Sequence, residues 1–296
     1  MLTLEGTYSL VYKNILRAVN PLKKRVVKTE CIVHQAINNQ FLHILKNDGY
    51  FDVYNLMSTY IDYINDGVVW ADQDLKSSNH FYSPKTKRGL YGNSNAKNEC
   101  ESYYNRALNE FVLGDINEAM FYLGAACHLV QDVTIPQHAN VELLHNHRSF
   151  ENWIIRMYRR FHKFKVFRGG IYLNSIGRYI ELNSREAIRT HEKYSHIENE
   201  HIRFYKITSV ILVMAQKTTA GVMAKYYYDM QRLKAIMTVK LQNKRWDPSL
   251  TLRMTMKWFR MTCKKAKGLS LAFEILHLRS EWRGLAIRIK SYLNQW

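Results

Sequence analysis

The sequence predicts an all-α protein: a multi-helix domain followed by a basic C-terminal extension. Two observations support this. The 296 residues include only four prolines and 13 glycines, the residues that most often interrupt helices. Apolar residues make up 47% of the chain and recur at intervals of three and four, which gives a helix one apolar face. A chain of this length can bury a full-sized core.

The first predicted helix begins at Thr29, after a mixed, basic segment that we assign as an N-terminal extension (residues 1–28). Its apolar face contains Ile32, Val33, Ala36, Ile37, Phe41, Ile44 and Leu45. Gly49 is suited to the left-handed conformation that ends many helices. His34 lies beside the apolar face, where it fits either a hydrogen-bonded core histidine or an inward-pointing ligand.

A second helix is predicted over 52–65, and a long loop follows from Gly67 to Gly92. Asp72 and His80 are the most suggestive polar residues of this loop. Its aromatic residues, which would form a rim, are Trp70, Phe81, Tyr82 and Tyr91. Loops of this length inside a domain are usually functional, although a surface loop rich in turn-forming Asp and Ser has the same composition.

Further apolar periods predict the rest of the helical domain, which we assign to residues 29–240. Asp115 is the expected N-cap of the helix that carries His128. Other helices are predicted over 95–113, 153–167, 175–193 and 198–239. Beyond them, apolar residues alternate with polar ones over 250–258, which suggests a strand within the extension formed by 241–296.

The formal charge of +18 is concentrated toward the C-terminus, since residues 231–296, which include the extension, hold 15 Lys/Arg against three Asp/Glu. Such a tail favours anionic partners, either acidic lipid headgroups or nucleic acid. A solvated basic face would also account for it.

Four cysteines stand far apart without CxxC spacing, so no disulfide framework is expected. Cys31 and Cys127 are predicted to be small core residues. The N-terminal residues lack a signal-peptide pattern, and no run of 18 or more apolar residues is present. We therefore expect a cytoplasmic or peripherally membrane-associated protein.

The stretch Leu123–Trp153 has the spacing of a metal site. His128 and Asp132 are four residues apart, as are His147 and Glu151, so each pair shares one face of a helix. Pro136 breaks the first helix, and we expect His138 to be delivered from a turn. Imidazole nitrogen and carboxylate oxygen are zinc ligands.

Upstream residues extend this stretch to a larger set. Five histidines and three carboxylates exceed what one ion needs, and they predict a cluster of two or three Zn²⁺ ions. The candidate ligands in chain order are His34, Asp72, His80, His128, Asp132, His138, His147 and Glu151.

The order and context of these residues resemble the zinc-dependent phospholipase C family, which shares its fold with the fungal single-strand nucleases. The resemblance covers about residues 29–230. It rests on the segments CIVHQAINN, GVVWAD, HFY followed one residue later by proline, LGAACHLVQDVTIPQHAN and HRSFENW.

The resemblance implies a role for each candidate ligand. Asp72, His80 and His128 would hold one zinc, and Asp132 would bridge it to a third ion that His34 also holds. A second, separate zinc would be held by His138, His147 and Glu151. Asp72 would also be the general base for the attacking water.

One position departs from the family pattern. In secreted members an N-terminal Trp completes the third zinc site through its terminal amine and carbonyl. The corresponding position would lie near residues 21–24, where this sequence has no Trp. The third site is therefore expected to use water or another side chain, to be empty, or to depend on cleavage after about Asn20.

The expected function is phosphodiester hydrolysis, with phospholipase C-type cleavage of phospholipid headgroups first. The expected partner is then a phospholipid headgroup or membrane surface, and tryptophans in the extension would suit that interface. A single-strand nuclease or nucleotidase is the alternative, in which Tyr82 and Tyr91 would stack on bases. The third possibility is a non-catalytic metal-binding relative. No protein partner is implied.

Overall fold

The computed structural model of the chain describes residues 31–73, 79–90, 94–140 and 147–242. All regular structure in these residues is helical, without a strand, which confirms the all-α prediction. The α-helices are α1 Ile32–Asn47, α2 Phe51–Thr59, α3 Ile61–Ala71, α4 Ala96–Val112, α5 Ile116–Asp132, α6 Pro136–Asn140, α7 His147–Met157, α8 Ile176–Tyr194 and α9 Glu200–Gln242.

Contacts divide the chain into two compact units, Met1–Ala235 and Ile236–Trp296, and all eight candidate ligands belong to the first. The domain boundaries at 28/29 and 240/241 stay predictions. The N-terminal extension and the strand predicted over 250–258 lie outside the described residues.

Helix α1 ends as its sequence predicts. The backbone N–H of Asp48 donates to the carbonyl of Ile44, and Gly49 follows with φ +86°. A residue without Cβ adopts this conformation at little cost.

The chain between α1 and residue 73 differs from the prediction of one helix followed by a loop. Two helices, α2 and α3, meet at Tyr60, and α3 continues through Gly67 to Ala71. Gly67 is helical because α3 contacts α5 at backbone level. A Cβ on Gly67 would overlap the carbonyl of Phe121, and one on Gly124 would overlap the carbonyl of Ile64.

Helix α5 runs through the centre of the domain. Asp115 caps it as predicted, because its side chain accepts a hydrogen bond from the Glu118 N–H. From Tyr122 to Asp132 every residue of α5 is buried. Its last turn, with His128 and Asp132, therefore lies inside the protein.

The helix predicted over 153–167 is wrong at both ends. Helix α7 begins at His147 and ends at Met157, and a 3₁₀ turn follows at His162–Phe164. The backbone after α7 instead bonds to α9, because Gln216 donates to the Phe164 carbonyl (2.6 Å) and accepts from the Val166 N–H (3.0 Å).

Two main clusters of buried apolar residues form the core. The larger joins α1–α5 to α8 and α9, and the smaller joins α1, α7 and α9. Helix α9 over Glu200–Thr238 is long and apolar enough to cross a membrane by length and composition, yet 72% of its apolar window is buried in the protein. Its buried side chains belong to these clusters.

Candidate metal centre

The eight candidate ligands come from six parts of the fold. His34 lies on α1, Asp72 ends α3, and His80 lies in the segment before α4. His128 and Asp132 occupy the end of α5, His138 lies on α6, and His147 and Glu151 begin α7. Their donor atoms form three groups in which all atoms lie within 4.8 Å of one another: His34, His128 and Asp132; Asp72, His80 and His128; His138, His147 and Glu151.

One carboxylate, Asp132, lies at the centre of the first two groups. Its Oδ2 is 2.7 Å from His80 Nδ1, 3.3 Å from His128 Nε2 and 3.5 Å from His138 Nδ1. Its Oδ1 is 3.3 Å from His34 Nε2. A buried carboxylate that faces four imidazoles can bridge two ions.

The third group lies where α6 meets α7. His147 Nε2 is 2.9 Å from Glu151 Oε1 and 2.8 Å from His138 Nε2. His138 was expected in a turn, but it lies on the short helix α6, which begins at Pro136. Proline fits the first position of a helix. The Phe81 ring stacks on His138 at 4.7 Å and holds its orientation.

The charges of the first group are strongly coupled. Burial alone would lower the pKa of His34, but its hydrogen bond to Asp132 and the charge of that carboxylate outweigh burial and raise this pKa to about 9. Burial opposes ionisation of Asp132, yet the histidines around it hold its pKa well below the usual range. Burial lowers the pKa of His128, so that ring is neutral and able to bind a cation.

The third group shows the same balance. Burial opposes ionisation of Glu151, but hydrogen bonds from His138 and His147 lower its pKa to about 2. Burial also opposes protonation of His147, and its bond to Glu151 outweighs this and raises its pKa. Glu151 is therefore anionic at neutral pH, as a metal ligand must be.

The donor set fits zinc. Nitrogen and oxygen ligands about 2.0–2.1 Å from a tetrahedral ion lie about 3.3 Å from each other. The hydrogen-bonded and ion-paired donors lie 2.7 to 3.7 Å apart, and all donor atoms within each group, including that of Asp72, lie within 4.8 Å of one another. The buried Nδ1 of His128 has no hydrogen-bond partner among the described residues. Its Nε2 lies 3.3 Å from both Asp132 Oδ2 and His80 Nδ1, so Nε2 is the nitrogen that faces the other donors.

Cys31 was expected in the core, and that expectation is wrong. It is only half-buried, it precedes α1 with φ +43°, and its Sγ donates to Asp72 Oδ2 at 3.3 Å. Burial raises the pKa of the Cys31 thiol, and the charge of Asp72 raises it further, so the sulfur keeps its proton and orients the carboxylate.

Gln131 also contacts the centre, and the sequence analysis did not select it. Its Oε1 is 2.8 Å from His34 Nδ1, and its Nε2 donates to Asn38 Oδ1 and Thr219 Oγ1. A signal was present: Gln131 is polar and adjoins the apolar run from Leu129 to Val130. A glutamine that α5 buries to 2% exposure needs partners.

The predicted aromatic rim is mostly buried. Phe81 and Tyr82 are 4% and 2% exposed, and Trp70 contacts the rings of Tyr103 and Tyr122. Tyr82 therefore offers no open face to a nucleic-acid base. Tyr91 lies outside the described residues.

Comparison with known proteins agrees with this geometry. No curated protein sequence matches the chain. Among solved structures, alpha toxin from Clostridium absonum has a similar fold, with a TM-score of 0.58 at 16% identity. Alpha-toxin from an avian strain of Clostridium perfringens gives 0.57 at 18% identity.

Each of these alignments covers 67% of this chain and 63% of the toxin chain. At this identity the two structures show the fold alone. A family model described as zinc dependent phospholipase C matches residues 33–216, well over half of the chain and all eight candidate ligands. The chain therefore belongs to the zinc-dependent phospholipase C family.

Proposed function

We propose that this protein is a zinc-dependent phosphodiester hydrolase that cleaves phospholipid headgroups in the manner of a phospholipase C. The observation that carries the proposal is the convergence of three donor groups on one buried region, with Asp132 facing four imidazoles. Family membership supports the zinc dependence.

The assignment of residues to ions follows the three groups and is part of the proposal. Asp72, His80 and His128 hold one zinc, and Asp132 bridges it to an ion that contacts His34. The site formed by His138, His147 and Glu151 is separate, which makes two to three ions. When bound, zinc supplies a water of lowered pKa and neutralises the charge that develops on the phosphoryl group.

Asp72 is proposed as the general base. It is half-buried at the C-terminal end of α3, so it can reach both the buried donors and solvent. Its Oδ2 accepts the Cys31 hydrogen bond, which leaves Oδ1 to take the proton of the attacking water.

Single-strand nucleic acid is the second candidate substrate. Exposed cations between α7 and α8 favour it, because phosphates bind Lys and Arg. Burial of Tyr82 disfavours it, since stacking needs an accessible ring. We therefore place phospholipid first.

The test is hydrolysis by the zinc-loaded protein of phosphatidylcholine in mixed micelles and of a single-stranded oligonucleotide. We expect release of phosphorylated headgroup that EDTA abolishes. Asp72→Asn should lower turnover by about 10²–10⁴-fold, the usual contribution of a general base. Zinc content measured on the same sample separates loss of the base from loss of a ligand.

Asp66→Asn is the matched control, because Asp66 is an exposed carboxylate on the same helix, and it should keep full turnover. Cleavage of the oligonucleotide without cleavage of lipid would favour the second candidate. No cleavage of either substrate by fully loaded protein would indicate a non-catalytic relative. Full turnover in Asp72→Asn would exclude Asp72 as the base.

A further inference from the structure

A run of exposed positive charge follows the metal-binding end of α7. Residues 152–180 contain no Asp or Glu. Six exposed cations within 13 positions of this stretch form what we call the cationic face: Arg156, Arg159, Arg160, Lys163, Lys165 and Arg168. Within the part of the chain that the structure describes, none of the six forms an ion pair with a carboxylate, in contrast to Arg185 and Arg189 on α8. Arg168 does interact at longer range with the charge of Asp48.

The backbone that presents these cations is held in place. Phe164 is fully buried, and Gln216 bonds to the backbone of both Phe164 and Val166. Gln40 of α1 donates to the Val166 carbonyl at 2.9 Å, and the N–H groups of Gly169 and Gly170 donate to Asp48. Lys163 and Lys165 flank the buried Phe164 and are both exposed, so an ordered segment presents them to solvent.

Apolar side chains are exposed beside the cations. Ile155 is 43% exposed and Phe167 is 45% exposed. Cations interleaved with exposed apolar groups are typical of surfaces that bind anionic bilayers. The cations attract anionic headgroups, and the apolar side chains insert among the lipids. A nucleic-acid surface would stack bases on aromatic rings, whereas the exposed Ile155 has no ring and suits insertion among lipid chains.

A recess within this face is large enough for a headgroup. It has a volume of about 330 Å³, with Arg159 and Lys165 among its lining residues and apolar walls from Val33, Ile37 and Leu212. This lining suits a phospholipid, because Arg159 and Lys165 can bind its phosphate and the apolar side chains can contact the start of its acyl chains.

We propose that the cationic face docks the protein on bilayers that contain anionic phospholipid, with one anionic headgroup in the Arg159–Lys165 recess. This surface is distinct from the metal centre, and binding there does not require hydrolysis.

The position of the face relative to the metal centre explains what docking would achieve. His147, Glu151 and Ile155 are spaced by four on α7 and share one helix face. One turn of helix, about 6 Å, separates the last ligand from the exposed Ile155. A bilayer that receives Ile155 therefore lies next to the third donor group.

The test is cosedimentation of the zinc-loaded full chain with phosphatidylcholine vesicles that contain or lack phosphatidylserine, without calcium. We expect binding only with phosphatidylserine. Each neutralised cation should weaken partitioning about fivefold, so Arg160→Gln/Lys163→Gln/Lys165→Gln together should lose about 100-fold. The control Arg185→Gln/Arg189→Gln/Lys193→Gln removes the same charge from exposed positions on α8 and should bind as the parent does.

Lysine acetylation, measured by mass spectrometry, shows directly whether the lysines of the cationic face are covered by the bilayer. It does so even if the basic extension also binds lipid. Phosphatidylserine vesicles should protect Lys163 and Lys165 and leave Lys193 reactive. Absence of this protection, or equal losses in the two triple variants, would overturn the proposal. An oligonucleotide that protects these lysines when vesicles do not would identify a nucleic-acid surface instead. Turnover of a soluble short-chain phospholipid, measured separately, tests the proposed activity alone.

Discussion

At the scale of single residues, a chain of hydrogen bonds sets the tautomer of His34. Thr219 Oγ1 donates to the Ala215 carbonyl at 2.7 Å, so its oxygen accepts from Gln131 Nε2. The amide of Gln131 is therefore oriented with Oε1 toward His34 Nδ1. An amide oxygen only accepts, so Nδ1 carries a proton and Nε2 faces Asp132 as the metal-binding nitrogen.

Gln131 is therefore a positioning residue for His34. Gln131→Ala should lower zinc affinity about 10–100-fold, the usual effect of removing the partner that orients a histidine ligand. Competition with a chromophoric chelator measures it.

Gln216→Ala is the control, since Gln216 is similarly buried (3% exposed) but its hydrogen bonds to described residues all go to the 164–166 backbone. It should cost stability without changing zinc affinity. Equal affinities in parent and Gln131→Ala protein would show that Asp132 alone orients His34.

Much of the centre could be predicted from sequence, because ligand chemistry and spacing restrict which residues take part. The i,i+4 pairs needed only local geometry. Ligand chemistry and spacing do not select Gln131 or Cys31, and the polarity of Gln131 beside Leu129 and Val130 indicates only a buried polar residue. Their roles depend on which faces of α1 and α5 meet, and neither residue type is diagnostic of a site.

At the scale of helices, the contact of α3 with α5 positions the centre. Gly67 and Gly124 bring the two backbones together, and the ends of these helices carry Asp72 and Asp132. From sequence, Gly67 is predicted to lie in a loop, because glycine inside a helix is costly and single-sequence patterns do not show a close helix contact.

Gly124→Ala should therefore destabilise the protein by about 1–3 kcal/mol, as overpacking does, and reduce zinc uptake as the helices separate. Urea unfolding and zinc content measure the two effects.

Gly177→Ala is the matched control on α8. The atoms nearest to its Cβ would belong to the movable side chains of Glu101 and Lys97, so stability should change little. An equally small effect of Gly124→Ala would show that α3 and α5 separate without cost.

At the scale of the whole molecule, the centre ties together segments from residue 34 to residue 151. Before any ion binds, it holds three carboxylates and five imidazoles, and two of these imidazoles have a raised pKa. In the metal-free protein, the proton on His34 Nε2 occupies the position that zinc would take. Zinc and protons compete for the same sites, so metal affinity and folding stability both depend on pH.

Removal of zinc should lower the melting temperature. Free zinc at about 1,000 times Kd adds about 4 kcal/mol, which is about 10 °C for a domain of this size. Calorimetry with and without EDTA measures the difference.

The difference in melting temperature between zinc-loaded and zinc-free protein should also grow with pH. His34 has a pKa of about 9 in the metal-free fold, above the ordinary 6.5. Its ion pair with Asp132 therefore stabilises the metal-free protein fully below pH 6.5, and this contribution is lost as the pH rises toward 9. Zinc must displace that proton, so its affinity should rise up to tenfold per pH unit between these limits.

His34→Gln, which has no such proton, should flatten this dependence. A gap in melting temperature that is constant from pH 6.5 to 9 would show that zinc does not bind at His34.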